Sequence, residues 1–319
     1  ALNPIPICTC YDLNKTRLNV DSNHTLQNSI DFERCMQLFG DAGWTSGEGW
    51  EPLGNCGSGT CFDGDETQYN ATFDGDTYVI GGLYIDDSDG SNLGLFGRAQ
   101  GVYAIIKDVL VSDVDITGAQ LVGGLLGNGG YAPNNVTIIN SGATGSVTTA
   151  NGYVGGLVGV ASGAYIDNSY STASVVGSGS YVGGLIGDAT YSYIDNSYAT
   201  GNVVGSGNYV GGLVGYAGHT DIDNSYATGT VSGGNYVGGM VGWGRYGSIR
   251  ASYATGKVTC SGSIYCGGLV GAPGSGGGFV TLTGTNTWVN HSSGSPEACV
   301  GENNPAPAGS NPENCSVYS

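Results

Sequence analysis

The stretch YVGGLVGVASGAYIDNSYSTASVVGSGS, residues 153–180, is followed by YVGGLIGDATYSYIDNSYATGNVVGSGN at 181–208. Then come YVGGLVGYAGHTDIDNSYATGTVSGGN at 209–235 and YVGGMVGWGRYGSIRASYATGKVTCSGSI at 236–264. A further copy opens at Tyr265 with YCGGLVG. Upstream, LVGGLLG at 121–127 leads to IINSGATGSV at 138–147, and a fainter copy begins with NLGLFG at 92–97. Val, Ile, Tyr and Thr recur in short apolar runs bounded by Gly, Ser and Asn, without a 3.6-residue period, which favours strands and turns over helix. A repeat of this length makes one turn of a solenoid, and stacked turns pair in parallel roughly 4.8 Å apart. The expected fold class is all-β: a parallel β-solenoid (β-helix) of about 28-residue turns, with a disulfide-bonded N-terminal cap and a loop-rich C-terminal tail.

Stacking places residues one period apart above one another. Asn140, Asn168, Asn196 and Asn224 recur every 28 residues. Their amides can bond along the column, as in Asn ladders of stacked strands. The structural reading is an inward or corner ladder, and the functional one a row of ligand-binding amides. Leu157, Leu185, Leu213, Met240 and Leu269 form one apolar column and Ile166, Ile194, Ile222 and Ile249 another, both read as core. The Gly pair before each Leu weakens a strand, so a left-handed backbone or a tight corner is expected there. Tyr153, Tyr181, Tyr209, Tyr236 and Tyr265 form an aromatic column, and Tyr170, Tyr198, Tyr226 and Tyr253 a second. Stacked rings gain about 0.5–1.5 kcal/mol per pair. Such columns either cover corners of the core or bind sugar rings or a partner surface. Asp167, Asp195 and Asp223 also align, with Arg250 next; carboxylates at strand spacing repel unless solvated, cation-bridged or partly protonated.

Composition narrows the function. Of 319 residues 61 are Gly, and 26 Asp and Glu face 8 Lys and Arg, for a net charge of −18. An acidic chain lacks the basic face that nucleic-acid binding requires. No apolar run reaches the roughly 18 residues of a membrane span, so neither nucleic acid nor membrane insertion is expected. Gly at this level excludes a coiled coil, because each interior Gly costs a helix about 1 kcal/mol against Ala. No Lys or Arg occurs from 108 to 244, a wall unlike one built for electrostatic steering.

The nine Cys avoid the middle of the chain and lack C-x-x-C spacing, which weakens a zinc or redox-motif reading. Cys56–Cys61, Cys260–Cys266 and Cys299–Cys315 each suit a short disulfide loop, and Cys35 pairs with Cys8 or Cys10. One thiol remains, either free and buried or bridging subunits. The pattern points to an oxidising, extracellular setting. No signal peptide is visible, so the chain is expected to begin after processing. Sequons at Asn14, Asn23, Asn70, Asn135, Asn290 and Asn314 are candidates for N-glycosylation on exposed loops.

Little chemistry stands out. His24, His219 and His291 lie in no nucleophile motif, and His219, beside Asp221 in the variable corner GHTDID, is read as a loop residue. DDSDGSN at 86–92 offers Asp86, Asp87 and Asp89 as Ca²⁺ ligands, without EF-hand spacing; the plainer reading is a solvated turn. No other cofactor is expected. The chain divides into an N-terminal cap with the first turns (1–60), the solenoid (61–290) and a tail rich in Pro, Ser and Asn (291–319).

The units GGLVG…IDNSYATG.V resemble GLUG-motif repeats of bacterial and some archaeal surface and secreted proteins. FDGDTYVIGGLYID at 73–86 with GLFG at 94–97, and ICTCYDL at 7–13 with GWEPLG at 49–54, resemble the lead-in to such an array. The resemblance covers roughly residues 5–290 and departs from the pattern at Arg250-Ala251 and Gly142. It implies a β-solenoid at the cell surface or outside the cell, in a family that includes adhesins and large surface proteases.

Three functions remain in view. The leading one is a non-enzymatic extracellular structural protein, self-assembling head to tail into a surface filament or coat, since its two ends differ. The second is an adhesin or glycan-binding module using the Tyr153–Tyr265 column. The third is a carbohydrate-active β-helix enzyme, which requires two carboxylates about 5–10 Å apart; the scarcity of Lys and Arg makes that site hard to assemble.

Overall fold

A computed structural model of the chain describes residues 3–39, 48–54, 68–130, 136–261, 265–273, 281–283, 286–289 and 315–318. Each turn has three walls. The first wall is a ten-stranded sheet that runs in chain order from Ile5–Ile7 to Thr281–Thr283. The second is seven-stranded, from Phe96–Arg98 to Val270–Pro273. The third collects shorter strands such as Tyr170–Ser171, Ser174–Gly177 and Val182–Gly183. Pairing between turns is parallel and in register. Tyr165, Ile166 and Asp167 oppose Tyr193, Ile194 and Asp195, which oppose Asp221, Ile222 and Asp223. The sequence repeat is therefore the structural repeat, and the chain is a parallel β-solenoid.

Identical spacing puts identical side chains inside. Leu157, Leu185, Leu213, Met240 and Leu269 are fully buried, and so are Ile138, Ile166, Ile194, Ile222 and Ile249. Each such side chain contributes about 1.5–3 kcal/mol by leaving water. The Gly pairs owe their place to crowding, not to a left-handed backbone. A Cβ on Gly155 would lie 2.1 Å from the Val158 carbonyl oxygen, and one on Gly156 2.0 Å from Ser171 Oγ. Of the two causes expected for these glycines, the tight corner is the one found.

The N-terminal end is closed by irregular structure. Helix α1 (Cys10–Lys15) starts at a capping box formed by Thr9 and Asp12, and helix α2 (Phe32–Phe39) is tied to it by the Cys10–Cys35 disulfide. Trp50 meets Phe32 edge-on at 5.1 Å, and the Arg17 guanidinium lies 4.5 Å from the Trp50 ring centroid. Burial there pushes the Arg17 pKa down to about 10. Leu53 and Tyr69 bridge to Phe96 and Ala99 and so cover the leading edge of the second wall. On the first wall, the Ile5 N–H donates to Asn23 O and the Gln27 N–H to Ile7 O. Residues 5 and 7 thus face the neighbouring strand, and Pro6 presents to the other side of its strand a backbone with no N–H.

Cys260–Cys266 is also a disulfide. The free thiol among the described residues is Cys8, and it is exposed. Cys56–Cys61 and Cys299–Cys315 involve residues outside the described ones. The tail contributes a strand, Cys315–Tyr318, paired in parallel with Asn286–Val289. Among the described residues, no helix is long and apolar enough to cross a membrane.

Candidate functional site

The corner after each Ile column carries the most regular polar chemistry. Asn140, Asn168, Asn196 and Asn224 are exposed there with φ of 48–49°, a left-handed conformation that Asn tolerates better than most residues. Each backbone N–H reaches forward one turn, as Asn168 N does to Asp195 O at 3.1 Å. The side-chain amides reach back. Asn168 Nδ2 donates to Asn140 Oδ1 at 2.7 Å and Asn140 Nδ2 to Asp108 Oδ1 at 3.0 Å. Asn196 Nδ2 donates to Asp167 Oδ1 at 3.1 Å and Asn224 Nδ2 to Asp195 Oδ1 at 2.8 Å. The ladder is thus a mixed Asn–Asp ladder at a solvent-facing corner. The two sequence columns, Asn and Asp, interlock.

Asp223 ends the carboxylate column differently. Arg250 Nε donates to its Oδ1 at 3.1 Å, Arg250 Nη2 also pairs with it, and Tyr193 Oη donates to Oδ2 at 3.0 Å. That phenol bond pushes the Tyr193 pKa up to about 12. Arg250 therefore neutralises the last member of the column.

The next residue along makes a second ladder that sequence reasoning missed. Ser141, Ser169, Ser197, Ser225 and Ser252 are all buried. Ser169, Ser197, Ser225 and Ser252 Oγ each accept from the Ser N–H of the preceding turn, Ser141 Oγ accepts from Val109 N–H, all at 3.1–3.2 Å, and each Oγ donates to the carbonyl two residues before its own. Ala164 N donates to Ser192 Oγ at 3.1 Å in a similar arrangement on the first wall. The signal was present in the recurring Asn-Ser-Tyr, but Ser is so common in turns that its identity alone says little.

Both tyrosine columns bring successive rings together, the second in parallel stacks and the first with Tyr209 tilted by 38° and 32° against its neighbours. Ring centroids in the column Tyr153, Tyr181, Tyr209, Tyr236 and Tyr265 are 4.4–5.2 Å apart. Those of Tyr170, Tyr198, Tyr226 and Tyr253 are 4.8–5.1 Å apart and within 7° of parallel. Tyr181, Tyr209, Tyr236 and Tyr265 also hold φ of 54–66°, a conformation that bulky residues rarely adopt. A ring stacked on both sides turns its edge and hydroxyl outward, and its faces are occupied. Gly142, where a Tyr fits the pattern, lets the Tyr170 ring lie against its backbone.

The repeats differ from one another mainly at 188–193, 216–221 and 243–248. Tyr216 and Trp243 stack at 4.6 Å, and His219 is stacked between Tyr191 and Tyr246 at 4.6 Å on each side. Tyr216 also meets Tyr181 and Tyr209 edge-on. His219 is not set against Asp221, whose Oδ1 accepts from Ser248 N and Oγ. Asp188 Oδ1 accepts from Thr190 N and Oγ1 at 2.9 and 2.6 Å, and burial raises its pKa.

Asp86, Asp87 and Asp89 lie in the strand Tyr84–Leu93, not in the turn expected from their composition. That strand pairs with Leu110–Gly123 and absorbs its extra residues in a register shift between Asp87 and Ser91. Among the described residues, no three His, Cys, Asp or Glu side chains come together as a metal site. Of the sequons, Asn14 Oδ1 accepts from Arg17 Nε, Asn23 Oδ1 accepts from Thr72 N, and Asn70 Oδ1 is buried. Asn135, Asn290 and Asn314 lie outside the described residues.

Comparison with known proteins agrees with this geometry. Residues 178–204 and 206–232 match the family described as the GLUG motif. Over 145 residues, 44% of this chain, the sequence is 36% identical to Halomucin of Haloquadratum walsbyi, and the match spans 1% of that protein's length. A crystal structure from Bacteroides ovatus, provisionally named an immunoglobulin A1 protease, superposes with a TM-score of 0.60 at 22% identity, covering 89% of this chain and 84% of the other. That likeness shows the fold alone. Two successive turns of the parallel β-solenoid, residues 178–204 and 206–232, thus carry the GLUG motif, and the ladders and columns described above run through them.

Proposed function

We propose that this chain is a non-enzymatic, extracellular structural protein, a rigid solenoid segment of a surface filament or coat. One observation carries the reading: the repeated side chains are engaged by their own counterparts one turn away. Asn and Asp of the corner bond each other, Ser bonds the backbone, and Tyr stacks on Tyr. Repetition therefore serves stacking along the axis, and the carboxylates that recur are structural. The GLUG match and the similarity to Halomucin support a surface setting, and the Cys10–Cys35 and Cys260–Cys266 disulfides suit an oxidising one.

Assembly between copies runs through side-chain surfaces at the N-terminal end, since Pro6 opposes addition of a strand there. The exposed Cys8 supplies a covalent joint at the same end. Electron microscopy of the native protein over a wide concentration range tests the proposal. Filaments or sheets are expected, and monodisperse single particles at every concentration would count against it.

A further inference from the structure

The tyrosine columns continue ring on ring, whereas the aromatic column of the variable corner is interrupted at Ala272. Asp188, Tyr216, Trp243 and Ala272 are register partners on successive turns of the second wall. Trp243 stacks on Tyr216, and the next member of its column is Ala272. Among the described residues that column holds no further ring beyond Trp243, which Tyr209 also meets edge-on at 6.1 Å. Arg245 lies two residues further along the same strand, so it shares the outward face of Trp243. Its guanidinium sits 4.4 Å from the Tyr246 ring centroid, and its Nη2 donates to Tyr246 Oη at 2.9 Å. Its Nε is shielded from solvent without a hydrogen-bond partner. Arg245 is also the first cation after Lys107 in the sequence.

These groups form one surface. The column Tyr181, Tyr209 and Tyr236 borders it on one side, and the stack Tyr191, His219 and Tyr246 on the other. Asp188, oriented by Thr190, lies at one end and Arg245 near the other. None of this is required by the repeat. In the preceding turns the Asp188 position is Val160 and Asn128, and the walls stack equally well there.

We propose that this face, centred on Trp243 and Arg245, binds a neutral saccharide chain built of pyranose rings. A pyranose offers an apolar face to an open aromatic ring and a rim of hydroxyls to planar polar groups. The Asp188 carboxylate accepts from such hydroxyls, and Arg245 and the tyrosine hydroxyls donate to them. The rise from Asp188 to Trp243, two turns or roughly 10 Å, accommodates more than one sugar unit. An anionic polymer is disfavoured by the net charge of −18. The proposal is independent of the scaffold reading.

The test is isothermal titration of the intact chain with cellohexaose, chitohexaose and a galacturonate hexamer. One of the neutral hexamers is expected to bind with Kd below about 1 mM. Trp243→Ala and Arg245→Ala should each weaken it about tenfold, with Trp243→Phe intermediate and Tyr226→Phe unchanged. Thermal melts by circular dichroism show that each variant is folded. Absence of binding by either neutral hexamer at roughly 10 mM, wild-type affinity in a folded Trp243→Ala, or preference for the galacturonate would overturn the proposal. None of those results bears on filament formation by electron microscopy.

Discussion

Ala251 occupies the corner position held elsewhere by Asn140, Asn168, Asn196 and Asn224, and it keeps their left-handed backbone at φ 50°. A Cβ in that conformation costs about 1–2 kcal/mol unless the side chain compensates, and a methyl group cannot bond along the column. Ala251→Gly should therefore stabilise the protein by roughly 1 kcal/mol, and Ala251→Asn by somewhat less, as measured by chemical denaturation. Unchanged midpoints in both variants would show that the corner is not strained there. The neighbouring Ser column predicts the opposite sign. Ser197 Oγ accepts from the buried Ser169 N–H at 3.1 Å. Ser197→Ala leaves that donor unpaired in the interior, at a cost of about 1–3 kcal/mol. The serine thus outweighs its more conspicuous neighbour Asn196, whose exposed amide can turn to water.

The N-terminal cap is the element where pH should act. His24 is buried in the strand His24–Leu26, with Nδ1 3.0 Å from Tyr69 Oη, and desolvation holds its pKa below 6.5. The unfolded chain then takes up a proton at a higher pH than the folded one. Stability attributable to His24 is complete above about pH 6.5 and falls as the pH drops below it, until the folded-state pKa is passed. Melting temperature between pH 7 and 5 should fall further for the wild type than for His24→Gln, and parallel curves would exclude this residue as the cause. Such a feature was not legible beforehand, because nothing in residues 1–60 repeats. In the array, by contrast, Ile166, Ile194 and Ile222 announce their stacking by spacing alone. The corner ladder was half legible: Asn and Asp columns were each visible, but their interlocking depends on a one-residue offset between turns that spacing does not encode. The left-handed tyrosines were not legible, since bulky residues rarely take that conformation. The Trp243–Arg245 face stayed hidden for the reverse reason: it lies where the repeats differ, and only the register brings Tyr216 against Trp243.

For the whole molecule, charge is the outstanding asymmetry, at −18 with Asp167 and Asp195 aligned on adjacent turns. In the ladder these carboxylates serve as acceptors, Asp167 for Asn196 and Asp195 for Asn224. An amide oxygen accepts equally well, so the stacking needs their oxygen and not their charge. Repulsion within such a chain is weakly screened at low salt, where the Debye length is about 30 Å at 0.01 M, and nearly abolished at 1 M, where it is about 3 Å. The melting temperature should therefore rise with sodium chloride across that range. The double variant Asp167→Asn, Asp195→Asn should be at least as stable as the wild type at low salt and should gain less from added salt. If it is instead destabilised by more than about 1 kcal/mol, the carboxylates hold the column by charge-assisted bonds whose strength exceeds their mutual repulsion.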